Sequence, residues 1–258
     1  MPFKEHRGGG KAHNPVSTME SRWDSEWADS RNDNRVSQMT SDENWHWINT
    51  YLKRPSRILE GGCGLAVWVK FLHGQGYDVW GVDYSGEAIE RSKALWPELK
   101  LEKADIRALP FGNNFFDGII SIGVIEHDID GPEAALKEMY RVLRPNGTLY
   151  CTVPCISHAK TLGLMALQDW IVRNRTIRKL TGRNVDDVEF FEYVFEPNEY
   201  ANILKSVGFV LLELVPLRPH SLYLGSKGSL RSKIIESIHL SWPWVFSHMM
   251  AGICRKPT

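Results

Sequence analysis

The stretch from Ile58 to Leu72, ILEGGCGLAVWVKFL, constrains the fold of this chain more than any other segment. It is a short apolar run with an acid at Glu60, then a glycine cluster, then a segment with helical periodicity. A strand that passes into a helix through glycines lets the backbone approach a ligand closely and aims the first amides of the helix at it. The sequence downstream extends the pattern. The spacing predicts strands at Arg57–Glu60, Asp78–Asp83, Leu99–Ala104, Phe116–Ile122 and Gly147–Val153, and helices at Ala66–Gly74, Gly86–Leu95 and Pro132–Leu143. A helix at Pro197–Ser206 and strands at Phe209–Val215 and near His248–Arg255 close the chain. Strands separated by helices imply right-handed crossovers and a mostly parallel sheet covered on both faces. The expected fold class is therefore α/β, a doubly wound, seven-stranded sheet.

At 258 residues and 43% hydrophobic content, the chain suits one large domain with insertions. Residues 1–16, with a triple glycine and scattered charges, read as a mobile tail, and residues 17–258 as a single domain. Within it, 17–55 form a tryptophan-rich helical cap and 56–155 the core. Residues 156–195 form an insertion or lid, and 196–258 complete the sheet. Thirty-one basic residues balance 31 acidic ones, so no net field gathers nucleic acid. Cys63, Cys151, Cys155 and Cys254 contain no CxxC pair and read as reduced core thiols, with no metal site expected. No signal peptide is evident in the first residues, and no segment reaches the roughly 20 uninterrupted apolar residues of a membrane span. A cytoplasmic location is expected.

Two cofactor classes use such a glycine turn. A dinucleotide site requires G-x-G-x-x-G, and with Gly62 and Gly64 as the first two glycines the third position holds Val67, too bulky for close helix–strand packing. The other pattern is an acid followed by G-x-G-x-G, which Glu60, Gly62, Gly64 and Ala66 fit with one conservative departure. With VWGVDYS, KADIRALPF, FFDGIISIGVIEHDID and EAALKEMYRVLRPNGTLYCTVP following in order, Ile58 to Pro154 resembles the class I S-adenosylmethionine-dependent methyltransferases, of the small-molecule, type 11-like kind.

The resemblance implies a Rossmann-like methyltransferase fold whose last strand is antiparallel, and S-adenosyl-L-methionine as cofactor. It implies cofactor contacts from Glu60, Gly62, Cys63 and Gly64 in the turn, and from Asp83 and Tyr84 after the next strand. Asp105 and Ile106 fall at the adenine site, and Gly123 and Val124 at the methionine end. Glu60 is expected to help hold the cationic methionine end, and Asp83 the ribose hydroxyls.

Methyl transfer from a sulfonium needs the acceptor positioned, water excluded and a proton removed where the nucleophile is a hydroxyl. His127, in the loop after the fourth strand, is the candidate general base; the plainer role is to order that loop or touch the cofactor. His158 is a second candidate. Pro154-Cys155 follows the fifth strand rather than the fourth, unlike the nucleophile of cytosine C5 methyltransferases, and GVIEH replaces the motif of amino-directed nucleic-acid methylases. No nucleic-acid partner is expected. Trp23, Trp27, Trp170, Phe191 and Tyr193 are candidate walls of an acceptor pocket. The expected acceptor is a small molecule, a hydroxyl of a sugar, lipid-linked glycan or secondary metabolite. TLGLMALQDWIV followed by RNRTIRK leaves open a contact with a membrane surface. Two alternatives stand beside transfer: a nucleotide-binding protein of this fold without chemistry, and an NAD-dependent oxidoreductase.

Overall fold

Strand β2 (Arg57–Gly61) is exposed only at its first residue and buried over the next four. A strand with both faces apolar is stable only between two layers of helices, in the middle of a sheet. It pairs in parallel with β3 (Asp78–Asp83) on one side and β5 (Phe116–Ile122) on the other. The structure, a computed structural model, describes residues 3–8, 23–25, 27, 36–156, 188–217, 237, 244 and 247–258. Of residues 3–8 and 188–191 it gives the backbone alone.

The main sheet has seven strands. With β4 (Lys100–Lys103), β6 (Leu143–Pro154), β8 (Val210–Pro216) and β9 (Met249–Arg255), their order is β4-β3-β2-β5-β6-β9-β8. All neighbours are parallel except around β9, which runs antiparallel to both β6 and β8. The expected sheet, with its antiparallel last strand, is thus the one observed. Strand β6 begins at Leu143, four residues before the expected start, because its first residue already pairs with Phe116.

Adjacent residues of the central strands feed two separate cores, as the two-residue period of a strand requires. Leu59, Ile119 and Leu149 join α4 (Glu133–Val142) and α5 (Pro197–Val207) through Leu136, Met139, Tyr200 and Leu204. Ile58, Ile120 and Tyr150 face the opposite way, toward α1 (Glu43–Tyr51), α2 (Val67–Gly74) and α3 (Gly86–Leu95), whose Ile48, Leu72 and Ile89 are buried there. The helix ends are set locally. Asp42 accepts from the Asn44 amide at the start of α1, and Ser85 accepts from the Ala88 amide at the start of α3. Pro197 opens α5 and Gly208, at φ +113°, ends it.

The N-terminal tail departs from expectation. Phe3–Gly8, read as part of a mobile segment, forms strand β1, antiparallel to β7 (Val188–Val194) in a separate two-stranded sheet. The pairing is supplied by a strand about 180 residues further along the chain, at the end of the expected insertion, so local composition could not announce it. Of the expected N-terminal cap, the structure describes a short 3-10 helix at Val36–Ser41, helix α1 and helical residues at 23–25 and 27. The apolar and basic segments offered as a lid or membrane contact, with Trp170 and His158, lie outside the described residues. Among those described, no helix is long and apolar enough to cross a membrane.

Phe116 tests the core on the α4 and α5 face. It is fully buried and meets the rings of Phe111 and Phe115 edge-on, each at 4.9 Å. Phe116→Ala is expected to cost about 3–5 kcal/mol, read from the shift in urea unfolding midpoint. A cost under about 1 kcal/mol would mean that the site collapses around the missing ring.

Candidate functional site

The chain leaves β2 for β3 and β4, then returns to the other side of β2 to make β5. In an open α/β sheet this reversal opens a crevice at the carboxyl ends of the strands. A cavity of about 470 Å³ lies there. Glu60, Gly62, Cys63 and Gly64 line it from the turn after β2, Asp83 and Tyr84 from the end of β3, and Asp105 and Ile106 from the loop after β4. Gly123, Val124 and His127 line it from the loop after β5. Every residue expected to hold the cofactor, together with His127, therefore borders one cavity, although the outermost two are 67 positions apart.

The turn is made by left-handed backbone. Gly62 has φ +75°, Gly64 +49° and Ala66 +54°. A side chain at Gly62 would meet Val124 at 2.4 Å, and one at Gly64 would meet the Trp27 ring at 2.7 Å. These two positions exclude any larger residue on grounds of space as well as conformation. Ala66, standing where a third glycine is common, takes the left-handed conformation at a cost of about 1 kcal/mol. Its Cβ is completely buried against the α1–α3 core, which offsets that strain.

Asp83 fastens the turn. Its carboxylate accepts the Gly64 amide at 2.7 Å and the Ser85 amide at 2.9 Å. Burial raises its pKa, and these amides work against the rise. Glu60 is buried beside it with one carboxylate oxygen, Oε2, unpartnered. Burial pushes its pKa well above the ordinary value, the Val69 amide opposes this, and the Asp83 charge adds to it. Cys63 is held in its thiol form by burial and by the same two acids, so it is no nucleophile. All four cysteines are free and buried, as expected.

Three participants escaped the sequence reading, and a fourth, Glu126, was legible only as part of GVIEH. Arg107 donates from Nε and Nη2 to Asp105 and reaches Asp128 at 3.4 Å, bracing the loops after β4 and β5 against each other. The D-x-R spacing carried that signal. Asp24 accepts from the Ser85 hydroxyl and the Glu87 amide, docking the Trp23–Trp27 segment on the start of α3. Glu126, in the 3-10 turn Ile125–His127, is 1% exposed, and its Oε2 has no partner. Burial pushes its pKa up to about 8, with the charge of Glu192 adding to the effect. Glu192 reaches the cavity from β7, between Phe191 and Tyr193, the two residues of that segment expected to wall it. Trp23 and Trp27 line the cavity as proposed, and the Trp23 ring stands edge-on to His127 at 4.9 Å. Tyr193 does not line it: the side chain is buried and its hydroxyl donates to the Ile129 carbonyl. The side chain of Phe191 is outside the description.

The Asp105–Arg107 pair gives a pH test. Burial opposes ionisation of Asp105, but the Arg107 hydrogen bonds and charge outweigh it and hold the pKa below the usual value. A lowered carboxylate pKa contributes stability that is complete above the ordinary value of about 3.9 and is lost as pH falls through the folded-state value. The difference in urea midpoint between the wild type and Arg107→Gln should be widest near neutrality and shrink below about pH 4. A difference independent of pH would leave Arg107 with a packing role only.

Residues 59–151 match the family described as "Methyltransferase domain". The chain is 34% identical over 106 residues to a demethylmenaquinone methyltransferase of Staphylococcus epidermidis, covering 39% of this chain and 44% of that protein. It is 36% identical over 111 residues to a ubiquinone/menaquinone biosynthesis C-methyltransferase of Neisseria meningitidis, covering 40% and 44%. The aligned region thus spans less than half the length of these curated relatives. Among solved structures, an S-adenosylmethionine-dependent methyltransferase from Methanosarcina mazei superposes with a TM-score of 0.59 at 20% identity, over 82% of this chain and 97% of that one. The 1,6-didemethyltoxoflavin-N1-methyltransferase of Burkholderia thailandensis gives 0.58 at 17% identity, over 96% and 94%. These likenesses establish the fold, and the matched residues 59–151 include the strand ends that build the cavity. They favour a methyltransferase over the dinucleotide reading, which the valine at position 67 already disfavoured: residues 59–151 of the chain match a methyltransferase domain.

Proposed function

We propose that this chain transfers a methyl group from S-adenosyl-L-methionine to a small-molecule acceptor, at a hydroxyl of a sugar, lipid-linked glycan or secondary metabolite. The observation that carries the reading is the convergence of four strand-end loops on one cavity whose floor is a left-handed glycine turn.

The residues present fit the cofactor. A cradle that a Cβ would fill lies at Gly62 and Gly64, and the unpartnered, buried Oε2 of Glu60 is a natural acceptor for a cationic amino group. Asp83, whose oxygens each accept one amide, retains lone pairs for ribose hydroxyls. Ile106 offers an apolar side chain to the adenine ring, with Asp105 fixed next to it by Arg107. The bound cofactor would supply an electrophilic methyl carbon. The chain's part is then to align the acceptor, exclude water with Trp23 and Trp27, and draw off the acceptor's proton. His127 is the residue for that last task, at the cavity wall beside Trp23.

The curated relatives are named as quinone methyltransferases, one of them a C-methyltransferase, and this favours a second acceptor class, an aromatic ring activated by its own hydroxyl. That chemistry needs the same proton removed, so the role of His127 is common to both. Labelled methyl transfer into a metabolite extract, followed by mass identification of the product, separates an O-methyl from a C-methyl product.

Two variants test the site. Asp83→Ala should weaken S-adenosylhomocysteine binding by at least about tenfold, the effect of losing one good hydrogen-bonding carboxylate, while the circular dichroism spectrum is kept. Unchanged affinity in calorimetry removes the ribose role. His127→Ala should slow transfer about a hundredfold or more with little change in S-adenosylhomocysteine affinity. An unaffected rate reduces His127 to a packing residue.

A further inference from the structure

The loop after β5 and strand β7 bring together three potential ligands. One carboxylate oxygen of Glu126, one of Glu192 and one ring nitrogen of His127 all lie within 4.8 Å of one another. Both carboxylates are buried, at 1% and 7% exposure. Two acids this close repel each other in a medium that screens poorly, and either a shared proton or a cation between them relieves the repulsion. Glu126 makes no ion pair among the described residues, and its Oε2, shielded from water, has no hydrogen-bond partner. A buried, unpaired carboxylate oxygen within a ring of donors is itself a sign of a missing ligand.

We propose that Glu126, His127 and Glu192 form a binding site for a divalent transition-metal cation at the acceptor end of the cavity. Two oxygens and an imidazole nitrogen make a mixed donor set suited to Mn²⁺ or Zn²⁺. Three protein ligands leave coordination positions free, the arrangement of a reactive site rather than a structural one. His127 and Glu192 line the cavity, which puts the proposed site in its wall. The strands fit this purpose. Glu126 and His127 are fixed by the 3-10 turn at the carboxyl end of β5, and Tyr193, next to Glu192, anchors β7 to the same loop through the Ile129 carbonyl.

The proposal rests on the methyl-transfer reading and narrows its substrate class to acceptors with a hydroxyl or a pair of neighbouring oxygens that can reach the cation. The positive charge lowers the pKa of such a hydroxyl. Its proton passes to water or to the carboxylate oxygen not used for the ion, the oxygen bonds to the methyl carbon, and the carbon–sulfur pair stays on sulfur as a neutral thioether. With the ion bound, His127 serves as a ligand, and the slowed transfer expected of His127→Ala then reports loss of the ion together with loss of the base.

The test is Mn²⁺ binding to the full chain after treatment with chelator, followed by electron paramagnetic resonance of the free ion. One saturable Mn²⁺ per chain is expected. Glu192→Gln and Glu126→Gln should each weaken it at least tenfold, both remaining folded by circular dichroism. The absence of saturable binding, or binding unchanged in both variants, overturns the site and leaves a proton shared between the two acids. S-adenosylhomocysteine calorimetry in chelator is run in parallel. Its success alongside failed Mn²⁺ binding rejects the metal site alone, and its failure rejects the methyltransferase reading on which the metal's role depends.

Discussion

The hydrogen bond from the Gly64 amide to the Asp83 carboxylate, at 2.7 Å, joins the carboxyl ends of two adjacent strands, and the cavity depends on it. It holds the turn after β2 in its left-handed course. With the turn in place, Val124 closes over Gly62 and the Trp27 ring over Gly64, so the floor and part of the roof of the site follow from one contact. The same carboxylate takes the Ser85 amide, and Ser85 caps α3 while binding Asp24 of the Trp23–Trp27 segment. A single acid thus links the sheet edge, a helix start and the cover of the cavity.

The chain is neutral as a whole, yet its acids are unevenly placed. Glu60, Asp83 and Glu192 are buried and line one cavity, and Glu126 is buried next to His127 in its wall. Burying four carboxylates is costly unless each finds a donor or a cation. Amides serve Asp83, but Glu60 and Glu126 each keep an unpartnered oxygen. Buried carboxyl groups with unpartnered oxygens favour a cationic occupant, which agrees with the sulfonium and amino group of the cofactor at one end and with a metal ion at the other. Stability given up here is supported by the layered core beneath, where Leu59, Ile119 and Leu149 are fully buried.

Much of the fold was legible because strand and helix periods differ. The strands at Asp78–Asp83 and Phe116–Ile122 and the helix at Gly86–Leu95 stand at the expected boundaries. Strand β6 runs longer than its sequence suggested because Leu143 pairs with Phe116 before the regular ladder begins at Thr148. The site residues of the glycine turn and of the DYS, DI and GVIEH segments were legible because each follows a strand directly, and a parallel sheet puts all such positions on one edge. Arg107 was missed although it sits two residues from Asp105, since a charged neighbour is usually a solvated one. Glu192 was missed although Phe191 and Tyr193 beside it were expected at the pocket, because the alternation of β7, not read as a strand, sends Glu192 rather than Tyr193 to the cavity.

The sequence by itself determined the α/β class, the seven-stranded sheet and the turn at which a ligand would meet the backbone. These follow from local periodicity and from glycine's unique freedom at positive φ. Only the tertiary structure decided that Phe3–Gly8 pairs with Val188–Val194, that Trp27 stands over the turn and Trp23 beside His127, and that Glu192 meets Glu126 and His127. Each of these joins residues about 40 to 190 positions apart. No periodic pattern specifies such encounters; they arise when separate layers pack and bring distant side chains into the same poorly screened space.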